Sequence, residues 1–131
     1  MKTKVPKRPK LVPISEEMKQ WSAMLEQELT GWPDVSSRPM FGFLSFYRKA
    51  AIFAALPHTR APGTPNSFIF RFESMPAKLQ ERAKNTSQLR LTDRSPGAKW
   101  YSFELSSEAD LRDALWWLNQ AYERAKQRGA R

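Results

Sequence analysis

Ser67-Phe68-Ile69-Phe70-Arg71-Phe72 is the stretch on which the reading of the fold turns. Phe68, Phe70 and Phe72 recur with a period of two, so an extended chain carries all three rings on one face and Arg71 on the other. A face of three phenylalanines belongs in a core. Upstream, residues 35–72 read as a run of strands at about 36–41, 43–48, 51–56 and 67–72. Downstream, Leu89 and Leu91 mark a fifth strand. After a turn at Ser95, Pro96 and Gly97, residues 100–105 alternate as a sixth. The connection 57–66, with Pro57, Pro62, Gly63 and Pro65, exceeds the usual two to five residues of a hairpin. It reads as a mobile tip or a binding loop.

Helices flank these strands. Ser15 is a good N-cap, and Glu16 and Glu17 follow where the helix dipole favours negative charge. Met18, Trp21, Leu25, Leu29 and Trp32 form one apolar stripe, which Gly31 and Pro33 terminate. Pro76 opens a short helix reaching about Lys84, with Leu79 and Ala83 inward. Ser106 or Ser107 caps the final helix, and Ser107 with Asp110 approximates a capping box. Its inward stripe is Leu111, Ala114, Leu115, Leu118, Tyr122 and Ala125. The expected fold is therefore α+β: an antiparallel sheet of about six strands, with N- and C-terminal helices and a short connecting helix packed on it.

The chain has 131 residues, enough for one hydrophobic core and too few for two. Cysteine is absent, which excludes disulfides, thiolate chemistry and Cys-based metal sites. The single histidine, His58, excludes a His-rich metal site within one chain. No metal or other cofactor is expected. No apolar run approaches a membrane span and no signal core follows the basic N-terminus, so the cytoplasm is the default expectation.

The formal charge of +9 is concentrated at the ends. Lys2, Lys4, Lys7, Arg8 and Lys10 precede the first acid, and Arg124, Lys126, Arg128 and Arg131 follow the last. All 13 acids lie between them, balanced by the remaining bases. The division that follows is a basic arm at 1–13, one α+β domain at 14–125 and a basic tail at 126–131. Lys and Arg on such arms suit a polyanion, because each phosphate met releases condensed counterions. Basic, Pro-rich ends also serve solubility alone.

Arg38-Pro39-Met40-Phe41-Gly42-Phe43-Leu44-Ser45-Phe46-Tyr47 resembles the opening of the TfoX N-terminal domain family, with Phe43 in place of that family's second glycine. Trp100 on a strand, the serine-rich cap and the helix from Asp110 to Tyr122 resemble the close of the MmcQ/YjbR-like and small luciferase-domain proteins. The resemblance covers about residues 32–125. It implies helices packed on an antiparallel sheet and a regulatory or DNA-binding role, and it brings no catalytic residue with it.

Candidate sites are sparse. His58 would need an orienting carboxylate to act as a base. Asp34, Asp93 and Glu104 would need to meet in space to form a carboxylate pair. Gly42 and Gly63 match no phosphate-cradling pattern. Phe41, Phe43, Phe46, Tyr47, Tyr101 and Phe103, interleaved with Arg48, Lys49, Arg71 and Arg90, form either a base-stacking sheet surface or an ordinary core. On the last helix Trp117 flanks the stripe. Trp116 points away from it, covered by a neighbouring segment or offered to a partner as an anchor. With no nucleophile, base and orienter in view, the expectation is a non-catalytic binding or regulatory domain. Its partner is DNA or RNA at the basic termini or, alternatively, a protein or second copy at Trp116.

Overall fold

The computed structural model describes residues 11–92 and 99–129. Its elements in chain order are β1 (Leu11–Pro13), α1 (Glu16–Thr30), β2 (Val35–Met40), β3 (Phe43–Arg48), β4 (Ala51–Pro57), β5 (Arg60–Pro62) and β6 (Ser67–Arg71). They are followed by α2 (Ala77–Lys84), β7 (Leu89–Leu91), β8 (Trp100–Glu104), a 3₁₀ turn (Glu108–Asp110) and α3 (Leu111–Gly129). Six strands make one antiparallel sheet in the order β2-β3-β4-β6-β8-β7, and β1 pairs with β5 in a second, two-stranded sheet. The expected α+β architecture is the one observed.

Local chemistry sets the element ends. The Ser15 hydroxyl accepts from the Met18 N–H at 3.0 Å and caps α1. Ser107 and Asp110 form the anticipated capping box, and the Asp110 carboxylate also accepts from the Ser106 N–H at 2.8 Å. Both central residues of the β2–β3 turn, Phe41 at φ 50° and Gly42 at φ 86°, lie in the left-handed region that a two-residue type I′ hairpin requires.

One face of the sheet is covered by α1 and α3. Phe46, Phe53, Phe68, Phe70, Phe72 and Phe103 are all buried there with Met18, Leu25 and Leu29 of α1. Trp117 stacks on Phe70 (6.1 Å between centroids, 16°) and meets the edge of Phe72. It therefore belongs to the core itself, where the sequence placed it on the flank, and Leu115 is only partly buried. The shift follows from β6 running beneath that side of α3. Arg48 also lies on this face: its guanidinium covers the Tyr122 ring at 3.9 Å and donates to the Tyr122 carbonyl. Tyr122 in turn donates its hydroxyl to the Pro33 carbonyl at 2.8 Å.

Three expectations need correction. Leu11–Pro13, assigned to the arm, is a strand, because its register partners in β5 supply the hydrogen bonds that its own sequence does not advertise. Of the two expectations for the connection 57–66, a mobile tip or a binding loop, the first does not describe its hydrogen-bonded structure. The connection contains β5, buries Ala61 completely, and is pinned by the Gly42 carbonyl, which accepts from His58 N–H (2.8 Å) and Thr59 N–H (3.0 Å). Helix α3 runs to Gly129, through residues assigned to the tail.

Candidate functional site on the open face of the sheet

The strand register places one row of residues across all six strands: Arg38, Ser45, Ala55, Ile69, Ser102 and Arg90. Alternation turns this row away from the helices. It has an arginine at each edge and small or β-branched side chains between, with Ser45 and Ala55 buried in its floor. Taller residues rise around the floor. Phe43, Met40 and Phe41 come from the β2–β3 hairpin, and Trp100 comes from β8. Together they enclose a groove of about 230 Å³ lined almost wholly by apolar atoms. Leu11 of β1 closes its rim.

Phe41 is the residue whose placement is hardest to explain by packing. It is 84% exposed, the most exposed large hydrophobic side chain among the described residues, and its backbone holds a left-handed conformation that costs a non-glycine residue about 1–2 kcal/mol. A strained, largely solvated phenylalanine adds little net to the fold, and strain of this kind clusters at sites of function. The tip that carries it packs closely on the following connection: a Cβ on Gly42 would lie 2.9 Å from Thr59 Oγ1, and the Gly42 carbonyl accepts from the His58, Thr59 and Arg60 N–H groups.

A smaller cavity of about 130 Å³, formed by polar residues that turn much of their apolar surface into it, lies beside the groove on the same face. Arg90, Ser102 and Glu104 line it together with Thr64, whose hydroxyl is buried without a hydrogen-bond partner. Ile69 and Ser102, register partners, are the seam between apolar groove and smaller cavity. At the far edge of the face Glu73 pairs with Arg71 at 3.0 Å and with Lys99 at 3.1 Å. The Lys99 hydrogen bond, followed by the Arg71 contacts, outweighs desolvation and lowers the Glu73 carboxyl below its ordinary range. Arg38 stands 5.4 Å from the centre of the Tyr47 ring, within cation–π reach.

The sequence-derived set is thereby divided. Phe41, Phe43, Tyr47, Arg71 and Arg90 share the open face, whereas Phe46, Phe103, Tyr101 and Arg48 belong to the helix-covered face. Burial raises the Tyr101 hydroxyl above its ordinary value. Trp100, Arg38, Ile69 and Leu11 were missed. For Trp100 the signal was present, since it alternates with Tyr101 and Phe103.

Lys2, Lys4, Lys7, Arg8 and Lys10 lie outside the described residues, of which the first, Leu11, stands on the groove's rim. Arg124, Lys126 and Arg128 lie on α3, on the other side of the sheet, so the structure does not join them to the groove. Arg124 is half-buried. Trp116 is half-buried too, its ring beneath the Arg82 guanidinium of α2 at 4.0 Å and edge-on to Trp117 at 5.0 Å. His58 lies 3.2 Å from Glu26 at the surface. Asp34 occupies a tight turn at φ 64°, away from Glu104, and Asp93 lies outside the described residues.

Among the described residues no cluster of three or more His, Asp or Glu could hold a metal ion, and no helix is long and apolar enough to cross a membrane. No family model matches the chain, and neither does any curated protein or solved structure.

Proposed function

We propose that this domain binds single-stranded nucleic acid across the open face of its sheet, acting by recognition rather than catalysis. The observation that carries the reading is the aromatic-walled groove whose floor has an arginine at each edge. Flat apolar walls formed by Phe43, Phe41 and Trp100 suit the faces of unpaired bases, which stack on aromatic rings whatever their sequence. Arg38 and Arg90 at the edges suit the phosphates on either side. A duplex, whose bases are already stacked, offers no face to such a groove.

In this proposal the N-terminal bases add phosphate contacts to the surface, since Lys10 immediately precedes Leu11 in sequence and Leu11 stands on the rim. Its five bases with Arg38 and Arg90 would give a log-log salt slope of roughly −5 on a single strand, falling to about −1.4 without the arm. The resemblance to MmcQ/YjbR-like domains points toward nucleic acid as well and stands as part of the proposal. Fluorescence anisotropy with labelled dT12, U12 and a 12-base-pair duplex at 50 and 200 mM salt tests it. Both single strands should bind more tightly than the duplex, and deleting residues 1–10 should flatten the slope with little change in thermal midpoint. A duplex preference, or no binding to any of the three, would overturn the reading.

The nearly apolar lining favours one alternative, a protein segment or second copy laid on Phe41, Met40 and Leu11. Sedimentation at increasing concentration separates it: self-association abolished by Phe41→Asn, with no oligonucleotide binding, would select this reading instead.

A further inference from the structure

We propose that the smaller cavity beside the groove, where Arg90 and Glu104 meet, is a base-reading subsite selective for guanine. This inference rests on the single-strand reading above and names what that surface would prefer. The central observation is a carboxylate on a face otherwise suited to a polyanion. Glu104 and Arg90 both line the cavity, and no hydrogen bond or ion pair engages either side chain among the described residues. They come from neighbouring strands: Arg90 is the register partner of Ser102, two residues before Glu104. Such diagonal positions are about 7–8 Å apart at the backbone, so the two side chains can grip two adjoining edges of one planar group, Arg90 turning to the base where a guanine is present and to a phosphate where none is.

A free carboxylate near phosphates is repelled unless donors meet it. Guanine offers two adjacent donors, N1–H and the N2 amine, which match the two oxygens of a carboxylate. On another edge it offers the acceptors O6 and N7, which match an arginine fork. Adenine and cytosine place an acceptor nitrogen next to their amino group, and thymine flanks its one N–H with carbonyls. Each of these would point a lone pair at Glu104. Stacking selects an unpaired base of any kind in the groove, and the adjoining cavity then distinguishes one base by its edge.

The test uses the full chain and labelled dT12 variants carrying one central guanine, adenine, cytosine, hypoxanthine or 7-deazaguanine. The guanine strand should bind about tenfold more tightly than dT12, as one bidentate contact provides. Hypoxanthine, lacking the N2 amine, and 7-deazaguanine, lacking N7, should each lose most of that gain. Glu104→Gln should reduce the guanine preference below about twofold while dT12 binds as well or better, since one negative charge is gone. The base analogues probe both contacts without any variant, so the proposal stays testable even if Glu104→Gln folds poorly. Equal affinity for every strand overturns guanine selection and leaves strand binding standing. No binding to any strand overturns both, and an undiminished preference in folded Glu104→Gln removes Glu104 from the site.

Discussion

Phe41→Asn should leave stability nearly unchanged and weaken strand binding severely, and each half of that expectation can be worked from the structure. The ring is 84% exposed, so about a sixth of a side chain of roughly 200 Å² is covered. At about 25 cal/mol per Å², losing that contact costs about 0.8 kcal/mol. Against this, asparagine tolerates the left-handed region, which relieves on the order of 1 kcal/mol of strain at φ 50°. It also creates the Asn-Gly pair that type I′ hairpins favour. The two terms nearly cancel, and the thermal midpoint should stay within about 3 °C of the parent. In binding, a lost aromatic stack is worth about 1–3 kcal/mol, a five- to 150-fold rise in Kd for dT12. Urea unfolding and anisotropy titration on the same preparations measure both. Phe46→Ala, at a fully buried position, is the control and should cost about 3–5 kcal/mol. If Phe41→Asn destabilises comparably, Phe41 is a packing residue. If both stability and affinity are unchanged, it lies outside the interface and the strain has no functional explanation.

Gly42→Ala should destabilise by about 2 kcal/mol, because it combines a positive φ with a Cβ 2.9 Å from Thr59 Oγ1. Adding Thr59→Ala should recover only the steric part, a distinction visible in unfolding midpoints. Trp117→Ala should cost about 3–5 kcal/mol through loss of its stack on Phe70. Trp116→Ala should cost about 1–2 kcal/mol, from half-burial and the Arg82 contact; equal losses in calorimetry would contradict the half-buried placement. Glu73 has a depressed folded-state pKa, so its stabilising contribution is present above its unfolded value of 4.5 and lost as pH falls through the folded value. Glu73→Gln should therefore flatten the stability profile only on the acid side of about pH 4.5, and slightly, since the pair is solvated. A change confined to neutral pH would refute the pairing.

Some of the molecule is written in short-range pattern. The period-two rings at Phe68, Phe70 and Phe72 placed β6, and the serine caps at Ser15 and Ser107 placed the starts of the main helices, because both signals are satisfied within a few residues. The β1–β5 pairing was not legible. Leu11 and Pro62 are register partners far apart in sequence, and three-residue strands containing proline show no period of their own. The aromatic set of the candidate site was legible as a list and not as a surface. Alternation separates Phe43 and Tyr47 from Leu44 and Phe46, yet nothing local says which set the helices will cover.

The groove itself depends on strand order. β6 lies between β4 and β8, and β8 lies between β6 and β7, so Arg38 and Arg90 come to bound one row although they are far apart in the sequence. The sequence by itself determined the six strands of the main sheet, the helices, the serine caps, the α+β class and the concentration of charge at the termini, all of which follow from periodicity and composition. Only the tertiary structure decided that Phe43, Trp100 and the strained Phe41 wall a common groove, and that Glu104 and Arg90 share one cavity. Those neighbours are made by long-range strand pairing, whose register is fixed by burial of the opposite face and leaves no local trace on the exposed one.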